Sequence, residues 1–232
     1  MSDQRSGGFK FLDIQELIES IPGYFHTITR IATKRSRFAK ELASRRLSAS
    51  LLFLSVGFAL TFALVTPAFI ASDHAVSKYV FVVRLFIMFA AQTIVLHLLL
   101  KLFGARRRLR QTFIVYAHLE GIFTPLCILL VYPIVIIAGP LTLFGETAEI
   151  TRDTTILRNH AVWFLSFYIA LLAGLIYEIV IGSAWFAESH HLKRTYAALS
   201  LSSLLVIQSA LVPLVVNPFL NKWLEKWLEL WK

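Results

Sequence analysis

Six polar side chains interrupt long apolar stretches of this 232-residue chain, and they are the candidates for chemistry. Ionisable groups are costly in hydrocarbon, so where they occur they usually carry protons, bind a solute or pair with one another. We therefore predict an intramembrane polar or proton-conducting site built from these residues: Gln92, His97, His118, Glu120, Glu178 and Gln208.

Depth along a helix predicts which of these residues meet. At about 1.5 Å of rise per residue, Glu120 lies about 12 Å and His97 about 9 Å from the basic loop between their helices. Helical side chains lean toward the N-terminus, which brings these two tips together. The same estimate places Glu178 at about 14 Å and Gln208 at about 18 Å from the short loop that connects the fourth and fifth predicted helices. We predict two contacts, His97 with Glu120 and Glu178 with Gln208.

These pairs also have a purely structural interpretation. A protonated glutamate that shares a hydrogen bond inside a helix bundle contributes about 0.6 kcal/mol on average. A transport protein needs a continuous polar path, whereas a structural bundle needs only satisfied buried pairs, and the residue types leave both open. Small residues at four-residue intervals around Glu178 predict that it faces another helix rather than lipid; they are Ser166, Ala170, Gly174 and Gly182. A matching set in the first span is Ser55, Ala59 and Ala63.

The elements that carry these residues are apolar helices. The chain is 57% hydrophobic and 16% charged, with mean hydropathy +0.68, whereas soluble domains are about a quarter charged. Crossing the hydrocarbon takes roughly 20 apolar residues as a helix. We predict an all-α polytopic membrane protein with five transmembrane helices in a domain over 49–216; the spans are 49–71, 79–100, 112–139, 161–187 and 196–216.

The net charge is +9, and the basic residues lie in the segments that flank the predicted spans. This distribution is typical of the positive-inside rule rather than of a nucleic-acid-binding surface. Five spans place the two termini on opposite sides of the membrane. With the N-terminus inside, sixteen Lys and Arg residues flank the spans on the inner side and six on the outer side. The sequence therefore predicts a cytoplasmic N-terminus, an external C-terminus and no nucleic-acid partner.

Amphipathic helices are predicted at both ends. Residues 1–48 are predicted to be cytoplasmic, with one helix over 9–21, closed by Pro22 and Gly23, and a basic one over 24–43. The basic helix either lies on anionic headgroups or packs under the bundle. Residues 217–232 predict an outer-face helix anchored by Trp223, Trp227 and Trp231, and Arg84 is expected to reach the headgroups.

The motifs of common enzyme classes do not occur in the sequence. It has no phosphate-binding glycine loop, no His-Glu-x-x-His and no Gly-x-Ser-x-Gly. His190 and His191 are adjacent without a third ligand nearby in the sequence. We predict no catalytic residue, no cofactor and no metal site, and a protein that is not an enzyme.

Two stretches carry a resemblance to a known family. They are IPGYFHTI (21–28) and LFGARRRLRQTFIVYAHLEGIFTPLCILLVYP (102–133). With the span pattern, they resemble the Ypt-interacting-protein (YIP) family of five-span membrane proteins. The resemblance implies five spans and a cytoplasmic N-terminus. Eukaryotic relatives are associated with Rab-type GTPases, but their Asp-Leu-Tyr-Gly-Pro motif is missing here, which implies a bacterial-type member in an inner (plasma) membrane.

Two functions remain open at this point. The first is a non-enzymatic membrane protein that organises or senses the bilayer or scaffolds partners, with anionic lipid and a protein partner or second copy as its contacts. The second is a small permease or a proton-coupled or lipid translocator that uses Glu120, His97, Glu178 and Gln208.

Overall fold

The computed structural model of the protein describes residues 14–33, 35–42, 45–71, 77–138 and 161–211. Within these ranges all regular structure is helical, which confirms the predicted class. The helices are α1 (Ile14–Thr33), α2 (Arg35–Leu42), α3 (Leu47–Ala71), α4 (Ser77–Leu102), α5 (Leu109–Ala138), α6 (Ala161–His190) and α7 (Arg194–Leu211).

Four of these helices contain a stretch that is long and apolar enough to cross a membrane. The stretches are Leu47–Thr66, Val82–Leu102, Leu109–Leu130 and Leu171–His190. They match the first four predicted spans. Helix α7 carries the start of the fifth, whose crossing stays a prediction because the description ends at residue 211. The C-terminal helix with Trp223, Trp227 and Trp231 lies outside the described residues.

Helix α5 is central, because it packs against α3, α4 and α6, and its contact with α3 is the most extensive. The two helices cross at Gly57 and Gly121, where a Cβ on Gly57 would lie 2.3 Å from the carbonyl oxygen of Gly121. Only glycine allows this approach of the two backbones. Helix α7 packs on α6 and α4 and completes the bundle around α5.

The small residues of α6 pack differently from the sequence prediction. A Cβ on Gly182 would lie 3.0 Å from Leu119 of α5 and 2.8 Å from Leu201 of α7. The neighbours of this face are therefore α5 and α7, and the match proposed with Ser55, Ala59 and Ala63 of α3 is wrong. The closest contact of α3 is the one that Gly57 makes with Gly121 of α5, because two glycines let the backbones touch. Ser55, Ala59 and Ala63 do not provide it.

The N-terminal helices pack on the bundle, α1 against α3 and α2 against α6. Pro22 and Gly23 do not end the first helix as predicted, since α1 runs through them. Proline inside a helix costs about 3 kcal/mol. The burial of Tyr24 and Ile31 offsets this cost, because a fully buried large side chain contributes about 1.5–3 kcal/mol.

One end of the bundle is basic. Helices α4 and α5 meet there through a loop that contains Arg106, Arg107 and Arg108, with Gly104 at φ 91° making the turn. The turn between α6 and α7 lies at the same end, since Arg107 contacts His191 across a distance of 2.9 Å. We refer to this as the basic end.

The glycine crossing predicts a large asymmetry between two Gly→Ala substitutions. Gly57→Ala should lower the free energy of unfolding by about 1–3 kcal/mol, because the new methyl group meets the backbone of α5. The matched control is Gly174→Ala in α6, where a Cβ would lie 3.9 Å from Leu130, in ordinary contact. That control should be neutral or stabilising by up to about 1 kcal/mol. Thermal unfolding in detergent measures both, and equal effects would contradict the crossing.

Candidate functional site: a polar cluster among four helices

One face of α5 carries a polar stripe, which we define as Thr112, Tyr116, Glu120 and Thr124. Residues four apart share one face of a helix, so these side chains follow one another along the bundle. The hydroxyl of Thr124 donates to Glu120 Oε2 at 2.8 Å. This link fixes the orientation of the Glu120 carboxyl group from within its own helix.

Tyr116 connects the stripe to two other helices. Its hydroxyl donates to Gln92 Oε1 of α4 at 3.1 Å, and the side chains of Glu120 and of Gln208 of α7 lie beside it. The ring is 1% exposed and stacks on Phe89, with 5.5 Å between centroids and 10° between planes. The phenol is therefore held rigidly at the point where α4, α5 and α7 meet.

Glu178 of α6 completes the cluster. Its side chain is 8% exposed, so the prediction that it faces protein is confirmed. Its carboxyl group lies within electrostatic range of Glu120 and of the Cys127 thiol. In the described part of the chain Glu178 has no hydrogen-bond partner. Two acids from different helices are thus brought together, one bonded and one not; we refer to Glu120 and Glu178 as the carboxyl pair.

The predicted contact between His97 and Glu120 is wrong. His97 Nδ1 instead lies 2.8 Å from the hydroxyl of Thr112. Helix α5 begins at Leu109, earlier than the predicted span, so Glu120 lies about 16 Å along it, whereas His97 is about 8 Å from the end of α4. The difference in depth is too large for side-chain lean to close.

The predicted contact between Glu178 and Gln208 is replaced by an indirect link. Gln208 lies beside Tyr116, and Glu178 interacts electrostatically with both Tyr116 and Glu120. Glu120, Glu178 and Gln208 therefore belong to one cluster around Tyr116, and His97 lies outside it.

His118 belongs to a different site, on the side of α5 that faces the N-terminal helices. Its Nδ1–H donates to the carbonyl oxygen of Ile114 at 2.8 Å, which leaves Nε2 to accept from Arg45 at 3.0 Å. The ring stacks on Phe53 at 4.7 Å. Burial, together with the charge of Arg30, lowers the pKa of Arg45. All polar atoms of this histidine are satisfied, as a structural contact requires.

Tyr24 fastens α1 near the same place. Its hydroxyl donates to the carbonyl oxygen of Gly121, and its ring packs on Phe53 at 4.7 Å. Burial raises the pKa of Tyr24 to about 12, so the phenol keeps its proton at neutral pH and remains a donor.

A third polar group lies at the basic end. Thr112 Oγ1 is 2.8 Å from His97 Nδ1 and 3.2 Å from His190 Nε2, so a single hydroxyl joins histidines of α4 and α6. His190 is fully buried, and its Nδ1 has no hydrogen-bond partner. His97 is only partly buried. Thr112 is also the first residue of the polar stripe, which runs on to Glu120.

Thr112, Tyr116 and Thr124 were not among the sequence candidates, and His190 was considered only as a metal ligand together with His191. The signal for the first three was present, since polar residues recur every fourth position from 112 to 124. No sequence signal singles out His190 from His191, because only the helix rotation decides that His190 points inward. Arg84 lies at the other end of α4, two residues inside the apolar stretch.

A cavity of about 320 Å³ opens between α2, α6 and α7, next to Trp185, Glu188 and Arg194. Its lining does not include either member of the carboxyl pair. Within the described ranges, no group of three His, Cys, Asp or Glu side chains is arranged to hold a metal ion.

No protein-family model, curated protein or solved structure matches this chain. The resemblance to the YIP family therefore rests on the sequence stretches described above and stays a prediction.

The stacked phenols provide a matched test of the cluster. Tyr116→Phe should lower the free energy of unfolding by about 1–3 kcal/mol, because it removes the hydroxyl that donates to Gln92 Oε1 and leaves that acceptor without its partner. Tyr196→Phe is the control, since Tyr196 stacks on Phe103 with the same 5.5 Å and 10° but its side chain is exposed. It should change stability by less than about 0.5 kcal/mol. Equal melting temperatures for Tyr116→Phe and Tyr196→Phe would contradict a stabilising role of the cluster.

Proposed function

We propose that this chain is a small proton-coupled membrane transport protein whose proton-binding site is the carboxyl pair. The observation that carries the proposal is the position of Glu178, buried beside Glu120 without a hydrogen bond from any described residue. A structural contact would be expected to satisfy each buried polar group, as the contacts of His118 do. A buried acid next to a second acid is costly to stability and is typical of a site that acts on protons.

The chemistry follows from like charges in a medium of low dielectric constant. Two carboxylates this close cannot both ionise at low cost, so the pair retains at least one proton and exchanges a second. The hydroxyl of Thr124 donates to Glu120 and stabilises its charged form. Tyr116, with Gln92 and Gln208 beside it, adds neutral polar groups next to this acid. Protonation therefore changes the repulsion between α5 and α6, and this change is what would couple proton binding to helix movement.

The membrane setting is part of the proposal. We place the basic end in the cytoplasm, with five spans, an external C-terminus and a bacterial inner membrane, as the charge distribution and the resemblance to the YIP family imply. The amide groups of Gln92 on α4 and Gln208 on α7 lie beside Tyr116. They suit a small polar or cationic solute, or a lipid headgroup, as the coupled substrate.

A second candidate function, bilayer organisation, is favoured by one observation on α1. Ile18 and Phe25 are 59% and 53% exposed on the helix whose Tyr24 is fastened to the bundle. Large apolar side chains beside an anchored phenol are typical of a helix that inserts into the headgroup region. In this role the partners would be anionic lipid and a second protein or second copy of the chain.

The decisive experiment for transport compares carboxyl variants in proteoliposomes. Under an imposed pH gradient, a pH-sensitive dye inside the vesicles should report proton movement for the natural protein. Glu178→Gln and Glu120→Gln should each reduce the rate at least about a hundredfold, because the exchanging proton is lost. The free energy of unfolding of Glu178→Gln should change by less than about 1 kcal/mol, since glutamine keeps the shape and removes the repulsion.

Glu188→Gln is the matched control, because Glu188 lies on the same helix but is exposed. It should conduct protons like the natural protein. If all three variants conduct equally, or if the natural protein moves no protons, transport is excluded. Loss of folding in Glu178→Gln would identify the acid as structural and favour the second candidate.

A further inference from the structure

The cavity between α2, α6 and α7 combines two charged side chains with apolar walls. Arg194, the first residue of α7, lines it together with Glu188 of α6. The other lining residues are apolar: Ala39, Val180, Ile181, Ala184 and Trp185. Its volume of about 320 Å³ lies at the lower end of the range for small-molecule sites, about 300–1,000 Å³. The cavity therefore has room for a small polar group that carries charge.

The guanidinium group of Arg194 is held at membrane depth. Its Nε donates to Ser183 Oγ at 3.3 Å, and its Nη2 donates to the carbonyl oxygen of Val180 at 3.0 Å. Both acceptors belong to the apolar stretch Leu171–His190, and they lie seven and ten residues before its end. At 1.5 Å of rise per residue, these positions are about 10 Å and about 15 Å from that end. The side chain therefore runs back along α6 instead of extending toward water.

The two acceptors do not neutralise the charge of Arg194, because a hydroxyl and a carbonyl group are both neutral. Among the residues that the structure describes, neither Arg194 nor Glu188 forms an ion pair. Arg194 is exposed, so its remaining donors face the surroundings of the bundle. A cation at membrane depth is costly unless an anion pairs with it. At the edge of the hydrocarbon the abundant anion is the phosphate of a phospholipid, which a planar guanidinium binds through two parallel hydrogen bonds.

An apolar surface for acyl chains begins in the same cavity. Val180 lines the cavity and is 45% exposed. It also ends a row of exposed apolar side chains on α6, which share one face because they are three or four positions apart: Leu165, Ile169, Leu172 and Ile176. The acyl chains of a lipid would cover this row, whereas a soluble phosphate compound has no apolar part to do so. The surface therefore favours a lipid.

Glu188 favours one kind of headgroup. It follows Ser183 by five residues, so it lies about 7.5 Å nearer the basic end. Helical side chains lean toward the N-terminus, which directs its carboxylate back into the cavity that it lines. An acidic headgroup would bring a second negative charge beside this carboxylate, whereas a headgroup amine would be attracted to it.

We propose that this cavity binds one phospholipid with an amine headgroup, of the phosphatidylethanolamine type. Arg194 binds the phosphate, Glu188 faces the amine, and the acyl chains lie along the exposed row of α6. The inference is independent of the proposed function, because neither member of the carboxyl pair lines the cavity.

The test counts the lipids that stay bound to the natural protein. The protein is purified in detergent, exposed to equal amounts of phosphatidylethanolamine, phosphatidylcholine and phosphatidylglycerol, and examined by native mass spectrometry. One phosphatidylethanolamine per chain should be retained in preference to the other two. Arg194→Gln should reduce this retention about tenfold or more, because the charge-assisted bonds to the phosphate are lost. Lys193→Gln is the matched control, since Lys193 is adjacent and exposed but does not line the cavity, and it should retain the lipid.

Two further variants separate headgroup recognition from folding. Glu188→Gln should still bind phospholipid but lose the preference for phosphatidylethanolamine over phosphatidylglycerol. Ala184→Phe fills the cavity without changing its charge and should also release the lipid, so it takes the place of Arg194→Gln if that variant does not fold.

Three results would overturn the site. The first is equal retention of the three lipids by the natural protein. The second is full retention of phosphatidylethanolamine by Arg194→Gln or by Ala184→Phe. The third is displacement of the lipid by an equal concentration of glycerophosphoethanolamine, which has the same headgroup without acyl chains and would identify a soluble ligand instead.

Discussion

The backbone contact between α3 and α5 at Gly57 and Gly121 determines how α5 is rotated. A helix in contact through its own backbone cannot turn about its axis without a clash, so the direction of every α5 side chain is fixed by this crossing. His118 and Gly121 then face α3 and the N-terminal helices. The polar stripe is left to face α4, α6 and α7, where the partners of Tyr116 and the second acid lie.

The two sides of α5 illustrate different uses of polar groups inside a bundle. On one side His118 donates to a carbonyl and accepts from Arg45, so its bonding capacity is used up. On the other side Glu178 is buried beside another acid, and His190 retains an unpartnered nitrogen. The first arrangement stabilises one conformation. The second keeps proton positions open, at a cost in stability that the close packing around Leu119 and Gly182 helps to offset.

The sequence was sufficient for the helices and for the burial of Glu178, because apolar length and four-residue spacing report directly on these features. The sequence did not correctly predict which buried polar residues contact one another. Depth estimated from the edge of an apolar run misplaced Glu120 relative to His97, since α5 begins at Leu109 inside the basic segment. The central position of Tyr116 was missed because a tyrosine inside an apolar stretch is counted as one of its hydrophobic residues. Helix α1 continues through Pro22 because its side chains are buried against the bundle, and helix-end rules based on local sequence do not take this burial into account.

The N-terminal helices have the basic and aromatic residues that are typical of a helix on the membrane surface, yet they pack on the bundle. The buried aromatic side chains Tyr24 and Phe38 contact Phe53, His118 and Trp185, which come from three different helices of the bundle. The basic segment that precedes the first span is therefore an integral part of the packed structure, in addition to any contact that it makes with lipid headgroups.

The bond from Tyr24 to Gly121 joins residues that are 97 positions apart in the chain. A ribosome makes the phenol long before it makes the carbonyl that receives it, at about 5–20 residues per second. During this interval α1 can pack on α3, but the acceptor for its phenol does not yet exist. The final fastening of the amino-terminal region is therefore a late event that waits for the hairpin of α4 and α5 to be inserted.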